Sequence, residues 1–252
     1  MKSFWICLAL CANFALAAHV GAQDAQEERS EFVTSGAGFE PMEPKPAASQ
    51  VEVVRDGAVV RVDIRLLPRE EQLGLLSTTR SSTRIARIDR SGKLSYLTGS
   101  VTGGRGSYAV FMDHASYYVE RVTDRDGAML GSYKTGIGLR LVAAIETRRA
   151  GLDLGSIFKL GIAASRSELN GSMEVMAFGV GGPQINSLLP GIMSTIDEGS
   201  IQRSLEALAA VKAKFWDRDT VIAPQHFAVQ SIDESLRSSI QTPDITSLAP
   251  RN

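Results

Sequence analysis

Alternation of apolar and polar positions dominates the middle of the chain. Val60, Val62, Ile64 and Leu66 fall on one side of an extended segment, with Arg61, Asp63 and Arg65 on the other. A period of two marks a strand with one buried face. Residues 51–55 precede it and are joined to it by Asp56-Gly57, a pair favoured in tight hairpin turns because both positions need positive φ. Residues 84–89 and 93–100 predict a second hairpin around Arg90-Ser91-Gly92. Residues 107–122 (SYAVFMDHASYYVERV) are rich in aromatic and β-branched residues, and 124–127 read as a turn. In 136–149, Ile137, Leu139, Leu141, Ala143 and Ile145 share one face. Phe158, Leu160, Ile162 and Ala164 alternate next, with a helix as the alternative reading of 156–165. Asn170-Gly171 reads as a turn, and Met173, Val175 and Ala177 alternate again. Successive hairpins of this kind predict an antiparallel meander.

The period becomes helical over 200–215. Ile201, Leu205, Leu208, Val211 and Phe215 form one stripe with Ser200 as the expected N-cap, and Arg203, Glu206 and Lys214 lie off it. Such a helix covers a sheet face. Residues 69–73 predict a helical turn, followed by a polar loop to 83. Residues 181–199 read as a loop. Residues 220–230 read as a last strand, which Pro224 places at an edge or a bulge. The fold class expected is α+β: a mainly antiparallel sheet of long strands with one amphipathic C-terminal helix packed on it, in one domain over 50–230.

The ends differ from this middle. Residues 1–22 carry Lys2 as their only charge, then an apolar run from Phe4 to Ala17, then small residues. This is the layout of a secretory signal peptide, with cleavage expected after Ala22 and Ala17 as the alternative. The run is shorter than the ~20 apolar residues of a spanning helix. Leu8-Ala9-Leu10-Cys11 loosely resembles a lipid-attachment box, but bulky Leu10 stands where a small residue is needed. Residues 23–49 contain Pro41, Pro44 and Pro46 and predict a disordered tether. Residues 231–252 predict a polar, frayed tail.

Composition narrows the picture. The chain is 44% hydrophobic, 22% charged and 6% aromatic, which excludes a collagen, a coiled-coil rod or a wholly disordered chain. A formal charge of −1 gives no reason to expect a nucleic-acid partner. Cys7 and Cys11 both lie in the expected signal segment, so the mature chain would be cysteine-free, without a disulfide, thiol nucleophile or thiolate metal site. It would depend on its core alone for stability.

Candidate chemistry is sparse. Ser156-Ile157-Phe158-Lys159 matches S-x-x-K and Lys134-Thr135-Gly136 matches K-T-G, but their order is reversed from that in serine acyl-transfer enzymes and no S-D-N separates them. There is no G-x-S-x-G elbow. Asp113 and His114 are adjacent on a strand and so point to opposite faces, which bars one from orienting the other. His226 falls on the less apolar phase of its strand and is expected to be exposed. Asp124-x-Asp126-Gly127 and Asp217-x-Asp219 lack the further oxygens of a calcium loop and read as turn residues. Gly179-Val180-Gly181-Gly182 runs into Pro183 without the Lys of a phosphate loop. No catalytic residue, metal or cofactor is expected. Arg80, Arg84, Arg87 and Arg90 are the one charge concentration, a candidate contact for an anionic component because guanidinium offers forked donors; the competing reading is a solvated strand face.

These features favour an exported, non-catalytic binding or structural protein, periplasmic or secreted. Its partner would be another envelope or extracellular protein, or an anionic surface component, with no transmembrane span in the mature chain. The alternatives are a hydrolase working through carboxylates, and a membrane-active protein that inserts long β-hairpins.

Overall fold

The structure, a computed structural model, describes residues 38–47, 50–76, 78–97, 102–147, 152–153, 169–245 and 247–248. The expected signal segment with its two cysteines lies outside these residues, as do most of the expected tether, Ser156-x-x-Lys159 and the alternating positions 158–164.

The described residues form a mostly antiparallel sheet with four α-helices, an outcome that α+β and mainly-β classes share. Thirteen strands lie among the described residues: β1 (Glu40–Pro46), β2 (Gln50–Arg55), β3 (Ala58–Asp63), β4 (Thr78–Ile88), β5 (Leu94–Tyr96), β6 (Thr102–Gly103), β7 (Gly106–Thr123), β8 (Met129–Thr147), β9 (Leu152–Asp153), β10 (Leu169–Phe178), β11 (Val180–Gly181), β12 (Val221–Ile222) and β13 (Gln225–Ser231). The helices are α1 (Arg69–Leu75), α2 (Pro183–Asn186), α3 (Glu198–Lys212) and α4 (Glu234–Ser238). The main sheet runs β1-β13-β8-β7-β4-β5, and β10 pairs with the second part of β8.

β7 and β8 are the spine, with 18 and 19 residues. Their alternation sorts side chains to two faces. Ile137, Leu139, Leu141, Ala143 and Ile145 join Val110, Met173 and Val175 in the larger core, where Ile201, Val211 and Phe215 from α3 and the turn after it cover them. On the opposite face Phe111, Val142 and Ala144 are covered by Ile245 and Leu248 from the C-terminal segment.

Several local expectations hold. Asp56 and Gly57 both take positive φ, 52° and 80°, and join β2 to β3. The Arg90-Ser91-Gly92 hairpin joins β4 to β5, and Met173 and Val175 face the core.

Others are corrected. Glu40–Pro46, expected within the tether, is an edge strand on β13; an edge tolerates prolines because one side of its backbone needs no ladder partner. Residues 231–248, expected as a frayed tail, supply α4 and bury Leu236, Ile245 and Leu248. Residues 78–83, expected as a loop, are strand, and two of their hydroxyls find partners on β7: Thr79 Oγ1 lies 2.7 Å from Ser116 Oγ and Ser81 Oγ 2.8 Å from His114 Nδ1. The strand holding Val60 and Val62 stops at Asp63, whose carboxylate accepts the Arg65 amide and starts a 3-10 turn that leaves Leu66 exposed. Asn170-Gly171 lies within β10, because Gly171 sits so close to β8 that a Cβ would fall 2.1 Å from the Ala144 carbonyl oxygen.

The α3 stripe holds at Ile201, Leu208, Val211 and Phe215 and differs in its cap and at one member. Asp197, not Ser200, is the N-cap, and the two close a reciprocal capping box, with Ser200 N donating to Asp197 Oδ1 at 2.7 Å and Asp197 N to Ser200 Oγ at 2.8 Å. Ser204 takes the buried place expected for Leu205, donating its hydroxyl to the Ser200 carbonyl at 2.8 Å, and Leu205 is 45% exposed. Leu205→Asp is therefore expected to change stability by no more than about 0.5 kcal/mol, and Val211→Asp to cost more than about 4 kcal/mol. Urea denaturation of the two variants checks this; equal losses would place the helix differently.

Candidate functional site

Strand register builds the site. Asp124 Oδ1 accepts the Asp126 and Ala128 amides at 2.9 and 2.8 Å, forming the turn between β7 and β8. Leu130 then stands as an extra residue on β8, because Val122 faces Gly131 while Thr123 faces Met129. Its carbonyl is held by the Ile232 and Asp233 amides at 2.9 and 3.1 Å. A bulge of one residue changes which side chains share a face. With it in place, Asp113 stands directly opposite Arg140, and Ser82 opposite Asp113.

Arg140 is 0% exposed. Its Nε and Nη2 donate to the two Asp113 carboxylate oxygens at 2.6 and 2.8 Å. Nη1 also donates to the Met42 carbonyl and Nη2 to the Phe227 carbonyl, each at 2.7 Å. The Phe111 and Phe178 rings lie 5.9 and 5.8 Å from its guanidinium carbon, within cation–π range. Burial pulls the guanidinium pKa down, but the Asp113 charge and hydrogen bonds outweigh it and raise it above the usual arginine value. The Asp113 carboxylate is committed to this pair.

Asp113 also lines a cavity of about 210 Å³. Strands β4 and β8 contribute Ser82, Arg84 and Lys134; β13 contributes Ala228 and Gln230; the chain entering β1 contributes Gly38 and Phe39, and β1 itself Pro41. Arg84 Nε donates to the Phe39 carbonyl at 2.9 Å. Lys134 Nζ lies 4.9 Å from the Phe39 ring centroid and 4.7 Å from that of Tyr117. Burial lowers the Arg84 pKa, opposed by Glu40 and Tyr96. Tyr96 fixes the entering chain by donating to the Pro41 carbonyl at 2.9 Å, and its own burial pushes its hydroxyl pKa up. Gly38 must be glycine while Arg84 keeps its place, since a Cβ there would fall 1.3 Å from Arg84 Nη2.

The four candidate arginines separate. Arg80 and Arg84 share the face of Ser82, and Arg84 alone lines the cavity. Arg87 is exposed on the other face of β4 and Arg90 is exposed in the hairpin turn. Lys134 is not among the sequence candidates; the sequence marks it only as the first residue of the K-T-G match, and no spacing rule connects it to Arg84.

The histidines are structural members. His114 Nδ1 lies 2.8 Å from Ser81 Oγ, on the face opposite Asp113, as adjacency requires. His226, expected to be exposed, is buried, because β13 runs between β1 and β8 instead of at an edge. Thr135 Oγ1 donates to Glu120 Oε2 at 3.2 Å and lies 2.8 Å from His226 Nδ1, whose N–H it accepts. The imidazole stacks on Tyr133 at 4.6 Å, and Lys45 Nζ lies 5.1 Å from that same ring. Burial lowers the His226 pKa; Glu120 opposes this and Lys45 adds to it.

Asp124 is engaged in turn hydrogen bonds, and Asp217 pairs with Lys214 at 2.8 Å. Among the described residues no group of three or more His, Cys, Asp or Glu is placed to hold a metal, and no helix is long and apolar enough to cross a membrane. No protein-family model, no curated protein and no solved structure matches the chain.

Two outcomes are expected. Asp113→Ala leaves the Arg140 charge buried without its partner and should cost about 3–5 kcal/mol, whereas the double variant Asp113→Leu, Arg140→Met should recover most of that loss; chemical denaturation of the three proteins measures it. The His226 pKa is lowered in the fold, so its contribution is present above the unfolded value of 6.5 and is lost as pH falls below it. The urea midpoint should therefore drop on acidification from about pH 7 to about pH 5.5, and His226→Asn should flatten that drop; an identical pH profile would exclude His226 as its source.

Proposed function

We propose that this chain is an exported binding protein of the cell envelope or the extracellular space, and that it holds its partner at the cavity between Arg84 and Lys134. The cavity is the observation that carries the reading: it places two cations and a hydroxyl beside apolar walls. The groups best suited to move protons are engaged elsewhere, Asp113 on Arg140, His226 on Thr135 and His114 on Ser81, which supports binding over catalysis. The layout of residues 1–22 supports export. The fold reads as α+β, with α3 as the covering helix of the sheet.

One observation favours a second reading, membrane contact through a hairpin. Val54 and Val59 are directly paired beside the β2–β3 turn and are 72% and 66% exposed. In-cell cross-linking of the tagged full chain separates the two. A single reproducible partner should be captured and lost on Arg84→Glu; monomer alone, together with dye release from lipid vesicles that Val54→Asp abolishes, would replace binding by membrane action.

A further inference from the structure

We propose that the outer edge of β4 between Thr79 and Thr83 is a docking site for an extended polypeptide segment of the partner, which joins the main sheet as a further strand. This rests on the binding reading above and names the form of the partner. Ser82 and Arg84, which line the cavity, stand on the same strand, so a segment on the edge runs beside the β4 wall of the cavity.

Main-chain direction defines the edge. Leu97 N donates to the Ile85 carbonyl at 2.8 Å and Asp89 N to the Lys93 carbonyl at 3.1 Å, so residues 85 and 89 turn their main-chain groups towards β5. Alternate residues of an antiparallel strand point the same way, and the β4–β7 ladder runs from Thr78 to Ile88 without a bulge. Thr79, Ser81 and Thr83 therefore direct three N–H and three C=O groups away from β7. β5 pairs only with Ala86–Ile88, and among the described residues nothing pairs with these six groups. Thr79 is exposed, and Ser81 and Thr83 are half-buried.

This edge is open to pairing. A short strand, a proline or a bulge blunts an edge; β4 has 11 residues, no proline and an unbroken register. Two hydroxyls that could cap the open groups are turned onto β7 instead, Thr79 Oγ1 to Ser116 Oγ at 2.7 Å and Ser81 Oγ to His114 Nδ1 at 2.8 Å. Donors and acceptors that repeat every ~6.8 Å along an edge match the main chain of another strand. A sugar or a lipid headgroup has no such repeat.

A second copy of the chain is a poor occupant. Pairing two β4 edges antiparallel through these groups sets odd residues against odd residues. In each such register over Thr79–Thr83, Arg80 or Arg84 of one copy stands directly or diagonally beside an arginine of the other, and like charges across strands are destabilising. A foreign segment without basic residues at those places avoids the contact. The main-chain bonds carry the docking, and the arginines select only against self-pairing.

The experiment follows amide shifts and hydrogen exchange of the full chain by NMR, with its oligomeric state measured by light scattering. The probe is the peptide Thr-Val-Thr-Glu-Thr-Val-Thr, capped at both ends, with a copy N-methylated at every residue as the control. The free chain should be a monomer with fast exchange at Thr79, Ser81 and Thr83. The peptide should bind and slow that exchange, and the methylated copy should not. Ser81→Pro removes an outward donor that the β7 ladder does not use and should weaken binding about tenfold, the loss of one hydrogen bond. Thr83→Pro should do the same, and Ser81→Ala, which keeps the N–H, should leave binding unchanged. Thermal melts identify any variant that fails to fold, and the two proline variants do not depend on each other. Slow exchange at these amides in the free monomer, which would mean that another part of the chain covers the edge, overturns the proposal. So does a dimer that Ser81→Pro dissociates, the absence of peptide binding, or binding that ignores both proline variants. If the edge fails while the cross-linked partner still depends on Arg84, the binding reading stands and the edge falls; if the peptide binds but no partner is captured in cells, the edge stands and the binding reading falls.

Discussion

A guanidinium buried away from water is costly unless its donors are met, and Arg140 meets this condition by drawing on several parts of the chain. Asp113 comes from the neighbouring strand, and the two carbonyls come from β1 and β13. Aromatic rings on β7 and β10 close the space around it. None of these partners is useful to Arg140 unless the others are present, because a half-satisfied buried cation is worse than an exposed one. The pair therefore specifies the arrangement of the second sheet face more than it adds to stability.

The cavity follows from that arrangement. Ser82, Asp113 and Arg140 form one row across β4, β7 and β8, and the chain entering β1 is drawn towards this row by the bond from Arg140 to Met42. Phe39 and Gly38 then come to rest on Arg84 and Lys134. Within the row Asp113 is spent on structure, while Arg84 and Lys134 stand beside the row and line the cavity.

Much of the sheet was legible in the sequence, since period-two patterning and Asp-Gly chemistry act locally. The α3 stripe was legible except at Ser204, where a hydroxyl that bonds its own helix behaves as a small core residue. The site was not legible. Asp113 and Arg140 each interrupt a largely apolar stretch of a strand, on either side of one turn, and that was the available signal. Their meeting depends on the Leu130 bulge, without which Asp113 would face Leu139, and no residue at 130 announces a bulge. Arg84 stood out only within an arginine cluster that the fold disperses. Lys134, the edge pairing of β1 and the burial of His226 depend on contacts between distant segments, to which periodicity is blind.

The reach of the Arg140 bonds has a consequence in time. Met42 lies 98 residues before it and Phe227 lies 87 residues after it. As the chain is made, Arg140 and Asp113 emerge long before β13, and until β13 arrives the guanidinium keeps its water. The central hairpin can form early, but the second face cannot close ahead of the last strand. Contacts this distant make late steps slow, so the second face stays open until β13 has been made. A polypeptide delayed in this way remains threadable through a narrow passage for longer than one whose core closes from its beginning.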